Sequence, residues 1–518
     1  MATHTLLAVL LLVPGIAGGL VLHVRPTLHP PAASGQVGVC LAAMAAACPH
    51  EQGGDGKRVA VRVMKCDACA GRHQETLRAA GCGATEVQSW CSAADGTELR
   101  PFTAHLHARD ALRKLRPLPE GGATVLLHAG VYGPLALDAR LDSGTEGAPI
   151  TYAAFGDGPA VLSGGVHVPT SAFVPWAGRS GVYRASLAPL GITTAQLGSM
   201  NQSGAGLVNG CVNRKSVLTL GPKRMTLARY PNKDTSGIEN RVMKSNGGGR
   251  FYLIVNATQE ANMSRVATWA TQPDAYIHGW FSFDWTDGYR RLVSATMNAQ
   301  HTSLNVTLQP EHGGDVQESL QLAKRGARFY GMNMLSELDH EEEYYINASE
   351  RALYFMPPAA SFSDEGASSP LLGDAAAVLS INDTVLNITG ARWLHLSGLT
   401  IAHSTGNGVE ANGAQHITIE NCTVGGTGQH GINLQNVLDI HMNNSTIRDI
   451  GCRGITITAG NALTLVSGNS SFTNLHIHHT AQWKRTYQAG IEYSGVDCDF
   501  INNTITVSNF LSCPSVRF

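Results

Sequence analysis

The strongest constraint on this chain is a phrase that returns four times between Val385 and Val507: Asn, two residues, then Ile or Val. It joins Asn421 to Val424, Asn444 to Ile447, Asn474 to Ile477 and Asn502 to Ile505, and Gly398 takes the Asn place three before Ile401. The steps between these positions are 23, 23, 30 and 28 residues. A second phrase, Gly then Val or Ile, keeps the same rhythm at Gly408, Gly431, Gly454 and Gly490. A period of about 20–30 residues built from short β-type runs marks a solenoid. One coil is too small to bury its own apolar face, so neighbouring coils must stack.

The runs HITIENCTV, DIHMNNSTI and TNLHIHH alternate apolar and polar residues, the periodicity of strands. They predict a parallel β-helix with Ile417, Ile419, Ile440 and Met442 pointing inward, one above another. Asn tolerates the left-handed conformation at a corner, and a ladder of Asn side chains can bond from coil to coil. No Asn-Gly or Asp-Gly two-residue turn separates the runs, which argues against a sandwich of hairpins. The 57 glycines and an aromatic content of only 6% suit many tight corners. The net charge of −2 and the lack of a basic stripe give nucleic-acid binding no electrostatic support.

Residues 1–22 read as a signal peptide, with an apolar run from Leu6 to Leu12 and small residues at Ala17-Gly18-Gly19. The rival reading is an uncleaved signal anchor over Thr5–Leu22, which is about long enough to span a bilayer. Pro14 and three glycines make a poor spanning helix, so secretion is the expectation and membrane contact follows only from the anchor. Twelve Asn-x-Ser/Thr sequons agree with secretion, although several, such as Asn421, Asn444 and Asn502, fall on the coil corners for structural reasons. Residues 23–100 read as a small Cys-rich module. Cys66, Cys69, Cys82 and Cys91 have the spacing of zinc ligands, but in an oxidising compartment they and Cys40 and Cys48 read as disulfide candidates, with fifteen possible pairings.

From 101 to 181 the chain reads as a cap helix followed by the first coils. Thr103–Leu118 is expected to be helical, with Leu106, Ala111, Leu112 and Leu115 on one face, laid across the open end of the solenoid. From 182 to 356 the period disappears and aromatic residues crowd together, which predicts an inserted β-rich domain of sandwich or barrel type. The coils resume at 380 and continue to 518.

Several phrases resemble a known family. AHLHARDALRKL, GGATVLLHAGVYG and APITYAAFGDGPAVLSGG look like the opening of pectin-lyase-like, right-handed β-helix proteins that act on polysaccharides. RMTLARYPN (224–232), HGWFSFDWTDGYRRL (278–292), FYGMNMLSELDHEEEYYINASERALYFMPP (329–358) and AGNALTLVSGNSSFTNLHIHHTAQWKRTYQAGIEYSGV (459–496) resemble glycoside hydrolase family 141, insert included. The resemblance covers roughly 120–508. It implies an all-β, right-handed parallel β-helix and hydrolysis of glycosidic bonds in complex polysaccharides, with fucosidase and xylanase activities in the family. It also implies further coils bearing the proposed acids. The text SNFLSCPSVRF leaves the pattern, so this chain is expected to end before them.

Glycoside hydrolysis needs two carboxyl groups flanking the bond. Glu492, beside a coil strand, and Asp497 and Asp499, at the next corner, are the catalytic candidates on the solenoid. Asp284, Trp285 and Asp287 lie among aromatic residues and suit sugar stacking and hydroxyl contact. Trp483, Lys484, Arg485 and Tyr487 stand on a loop before a strand, where solenoids usually bind. The planar fork of Arg485 suits a sugar carboxylate or sulfate. His476 and His478 share one strand face and His479 the other, which does not favour a metal site. Glu337, Asp339 and Glu341–Glu343 read as a surface turn. No cofactor or metal is expected, and the protein is expected to be a monomer whose partner is a polysaccharide. The alternatives are a carbohydrate-binding or wall-associated β-helix protein without catalysis, and a uronate lyase or epimerase on the same scaffold.

Overall fold

The computed structural model describes residues 19–25, 104–200, 211, 213–233, 242–249, 252–256, 260–309, 323–358 and 376–506. Cys40, Cys48, Cys66, Cys69, Cys82 and Cys91, and the leader up to residue 18, lie outside the described residues. The chain divides into two compact units. One holds residues up to Tyr132 with Leu141–Ala160 and Trp393–Ser397. The other holds Gly133–Arg140, Val161–Arg392 and Gly398–Phe518.

In the first unit, strands Leu20–Val24, Ala123–Leu127 and Ile150–Ala154 stack in parallel, and Leu394–Ser397 pairs with the last of these. The first strand starts within the stretch read as leader. Val24, Val125, Leu127, Ile150 and Tyr152 are buried between coils. The helix His105–Lys114 packs on the first two strands. Of the expected face it buries Leu112, together with His105 and Ala108, while Leu106 and Ala111 are half-buried. Leu115 is 43% exposed because the helix stops at Lys114 and Leu115 leaves it with φ −95° and ψ 79°. Arg113 fastens the helix with a two-pronged bond to the buried Asp142, at 2.7 and 2.6 Å.

In the second unit, three parallel sheets form the faces of a β-helix. One stacks Leu135–Asp138, Leu386–Thr389, Val409–Asn412, Ile432–Asn443, Ile455–Ala459 and Ile491–Gly495. The second stacks Leu399–Ser404, Thr423–Thr427, Thr446–Ile450, His476–His478 and Thr504–Thr506. The third stacks Gln415–Glu420, the later half of Ile432–Asn443, Ser470–Thr473 and Cys498–Ile501.

The repeat phrases map onto this register directly. Ile401, Val424, Ile447, Ile477 and Ile505 align in one column, and Ile417 over Ile440 and Ile419 over Met442 in another, all four at most 2% exposed. Asn421, Asn444, Asn474 and Asn502 all have φ between 47 and 54°, and Gly398 in the same place has φ 68°. The ladder forms: Asn444 donates to Asn421 at 2.7 Å, and Asn502 to Asn474 at 2.7 Å. The glycines of the second phrase answer a close approach between coils. A Cβ on Gly408 would stand 2.7 Å from the carbonyl oxygen of Gly431, and one on Gly431 would stand 2.6 Å from that of Gly454.

The insert is antiparallel apart from Thr226–Leu227, which runs parallel to Glu343–Asn347. Tyr183–Ser186 pairs with Ala352–Met356, and that strand with Glu343–Asn347. A larger sheet runs through Arg229–Tyr230, Arg325–Met332, Tyr276–Trp280, Gly288–Met297, Ser303–Leu308 and Tyr252–Asn256. The helix Glu260–Trp269 covers it with Met263, Val266 and Trp269. Glu337, expected on the surface, is 1% exposed. It is the anchor of this helix: Trp269 Nε1 and Arg265 Nε each donate to it at 2.7 Å. Glu343 is likewise buried. A disulfide joins Cys211 to Cys452 across 241 residues. Among the described residues no helix is long and apolar enough to cross a membrane.

Candidate functional site

Asp287 closes the start of the strand Gly288–Met297 and has no solvent exposure. Its carboxylate accepts from His278 Nε2 at 2.6 Å and from the backbone N–H groups of Arg485 and Thr486, both at 2.9 Å. The Nζ of Lys484 lies 3.4 Å from it and also donates to the Asp287 carbonyl. Burial by itself would raise this carboxyl, but Lys484 and the His278 and Thr486 donors outweigh it and hold it well below the ordinary range. Burial pushes His278 down to about 4, so it is a neutral imidazole at neutral pH that gives its Nε2 proton to Asp287. Asp287, Lys484 and the backbone at Arg485 therefore form one buried joint between the insert and the solenoid loop. Trp483 is 5% exposed and belongs to the apolar core with Tyr289, Tyr330 and Tyr344.

Trp285 and Tyr487 stand outside this joint, 50% and 39% exposed. The Trp285 ring stacks on Phe283, with centroids 4.8 Å apart and planes 17° apart, and Tyr487 meets Trp285 edge-on at 6.1 Å. The result is an aromatic shelf with one open indole face. Asp284, beside it, bonds Lys324 at 2.7 Å and Arg328 at 3.4 Å, and the Lys324 bond holds its carboxyl low.

A cavity of about 490 Å³ is lined from the solenoid by Arg448, Asp449 and His478 and from the insert by Arg224, Glu342 and Glu343. Asp449, at φ 58°, pairs with Arg448 at 2.8 Å. Glu343 accepts the backbone N–H of Arg229 at 3.3 Å on Oε1, and the Asp339 backbone also donates to this carboxyl, whose Oε2 is buried. Burial, reinforced by Asp339, pushes this carboxyl up to about 9. A smaller recess of about 50 Å³ shares Arg224, Thr226, Lys233 and Gln482 with the cavity and adds Arg229, Tyr330, Trp483 and Arg485.

The three expected catalytic carboxylates, Glu492, Asp497 and Asp499, are absent from this cavity's lining. Glu492 pairs with Arg453 at 2.6 Å on the outer row of the first solenoid sheet, in register with Thr456. Asp497 has φ 60° and accepts the Ser467 hydroxyl, so it closes a corner. Asp499 lies in the last stacked strand of the third sheet. His479, expected on the opposite face, meets His478 with ring nitrogens 2.6 Å apart, because φ 52° at His479 turns the chain back. Sequence reading gave no role to Arg224, Arg229, Arg448 or Asp449. The available signal was a pair of arginines inside the apolar alternation of RMTLARYPN.

The right-handed β-helix region model matches residues 381–508. No curated protein sequence gives a significant match. Among solved structures, one titled a glycoside hydrolase superposes with a TM-score of 0.59 at 17% identity, covering 79% of this chain and 75% of its own. The complex of XylC with xylose matches at a TM-score of 0.39 and 11% identity, covering 80% of this chain and 58% of its own. The stacked register, the family-model match and the superposition together make this chain a right-handed parallel β-helix protein with a glycoside-hydrolase-like fold.

Proposed function

We propose that the protein hydrolyses glycosidic bonds of a complex polysaccharide in the 490 Å³ cavity. The observation that carries this reading is a pair of carboxyl groups in different states on one cavity. Glu343 is kept protonated by burial and Asp449 is a carboxylate paired with Arg448. Hydrolysis uses such a pair, one group protonating the leaving oxygen and the other acting as base or nucleophile. Glu343 is the proton donor and Asp449 the charged partner. The fucosidase or xylanase type stays a matter for assay. The apolar leader, the sequons and the Cys211–Cys452 bridge support secretion into an oxidising compartment.

The test is release of reducing ends from fucosylated and xylan-type polysaccharides by the full chain. Glu343→Gln and Asp449→Asn are each expected to lower the rate by roughly 10²–10⁴-fold, with Glu492→Gln as the comparison. Glu343 also predicts activity that persists into mildly alkaline solution and falls as pH approaches 9. Full activity in Glu343→Gln would remove the assignment, and loss in Glu492→Gln alone would move it to the outer row. Products absorbing in the ultraviolet would replace hydrolysis with elimination. The aromatic shelf favours one second reading, saccharide binding without cleavage, which predicts binding lost in Trp285→Ala and no reducing ends from any variant.

A further inference from the structure

The recess beside the cavity has an unusual lining. It carries Arg224, Arg229, Lys233 and Arg485 and, among the described residues, no Asp or Glu. In two of these cations the guanidinium bonds carbonyl or phenol oxygens, with Asp449 acting on Arg224 and Asp287 on Arg485 only through charge. Arg224 donates to the Thr427 carbonyl at 2.9 Å and lies over the Trp483 ring at 4.8 Å. Arg485 donates to the Ala481 carbonyl at 3.1 Å and bonds Tyr330. Both are partly buried. Low-dielectric walls of Trp483, Met225 and Met332 strengthen the field they make. The outer cavity differs, because it carries carboxylates of its own, which pair Lys223 with Glu342 and Arg448 with Asp449.

Size separates the two spaces further. By the same measure the recess offers about 50 Å³ and the cavity about 490 Å³, so the recess suits a small substituent better than a sugar ring. The larger cavity, with about 490 Å³, takes the ring. Guanidinium groups recognise such planar or tetrahedral oxyanions through paired N–H donors.

We propose that the recess holds the anionic substituent of a sugar whose ring lies in the adjoining cavity, so that the substrate class is an acidic polysaccharide bearing uronate or sulfate groups. This deepens the proposed function and rests on its choice of cavity. Arg224 and Arg485 receive the anion, and Tyr330 and Trp483 hold the two guanidinium planes in place. Arg229 shares this arrangement, with its guanidinium 3.5 Å from the centre of the Tyr330 ring.

The experiment titrates the full chain with three tetrasaccharides, an oligogalacturonate, a sulfated carrageenan fragment and neutral xylotetraose, at low and raised salt. The expected result is at least about tenfold tighter binding of one or both acidic probes, weakened by salt. Whichever acidic probe wins identifies the anion. Arg485→Gln and Arg224→Gln should each bring the ratio of acidic to neutral affinity down to about one, a ratio from which any general loss shared with xylotetraose cancels. Arg485→Lys, which keeps the charge and loses the fork, should retain part of the preference. Equal affinity for acidic and neutral probes, or a preference that survives both Gln variants, overturns the proposal. Acidic preference without any cleavage would leave the recess standing and remove hydrolysis. Cleavage of neutral chains without acidic preference would do the reverse.

Discussion

The second unit joins two structures built on opposite plans. In the solenoid every side chain meets its own equivalent one coil away, so Ile447 lies between Val424 and Ile477 and the same choice is made at each turn. In the insert a residue meets something unlike itself and far off in sequence. Asp287 holds the backbone of Arg485 and Thr486, and Tyr289 donates to the Trp483 carbonyl. Repetition gives a stiff wall but few distinctive positions, because whatever sits on one coil tends to sit on the next. The insert breaks that monotony. It places Arg224, Glu343 and Arg229 against solenoid residues that would otherwise form a plain outer face.

The sharpest way to break this contrast is to damage each plan once. Asp287→Ala removes the carboxylate on which His278, Lys484 and two backbone donors converge, and it leaves the Lys484 ammonium buried without its partner. The expected cost is about 3–5 kcal/mol, read by urea denaturation. It should be accompanied by loss of ligand binding, because Arg485 loses its backbone anchor. Ile447→Ala opens a gap between two coils at a site with no exposure and should cost about 2–5 kcal/mol, with the cavity residues left in place. If Ile447→Ala impairs binding as much as Asp287→Ala does, the division between wall and chemistry is false.

Acid should act on the joint and on the coils alike, because burial also pushes His403 and His430 of the coils down to about 4 and about 3. His278 is held neutral by burial, down to about 4, against an ordinary value near 6.5. Between those values the unfolded chain takes up a proton that the folded chain refuses, so stability rises with pH across the window and falls on acidification. The slope from this group is up to ~1.4 kcal/mol per pH unit. Asp287, with its depressed value, keeps its contribution throughout this window and loses it only in stronger acid. His278→Asn should lower the slope between pH 6.5 and 4 in thermal melts, leaving the share of His403 and His430. An unchanged slope would assign the sensitivity elsewhere.

The smallest effect sharpens the account of the solenoid. Asn444 has φ 47° and bonds Asn421. Asn444→Ala loses both the tolerance for left-handed backbone and the ladder bond, at about 1–2 kcal/mol, whereas Asn444→Gly keeps the conformation and loses only the bond, at about 0.5–1.5 kcal/mol. Equal costs would mean that the ladder, not the corner, selects Asn.

These residues also mark how far the fold and the site could be read in advance. The columns at Ile447 and Ile417, the left-handed corners and the Asn ladder follow from spacing, since each coil states the same requirement again. The helix residues buried beside Leu112 and the buried Glu337 did not, because burial there depends on partners such as Asp142 and Trp269 that no local pattern marks. Among the residues singled out, Trp285 and Tyr487 are exposed and stacked as a sugar shelf needs. Lys484 and Asp287 instead face each other. The recess was nearly invisible: only Arg485 was suspected of meeting an anion.

By itself the sequence determined a stacked, parallel β-helix and the inward set of its coils, because a repeated alternation of apolar residues can be buried in only one register. Only the tertiary structure decided which charges share a cavity. Arg224 and Arg485 stand 261 residues apart in the chain, by subtraction of their numbers, and they line one recess because the insert folds back on the solenoid loop. Charges interact through space, so their pairing or isolation is a property of the folded packing and has no period to read.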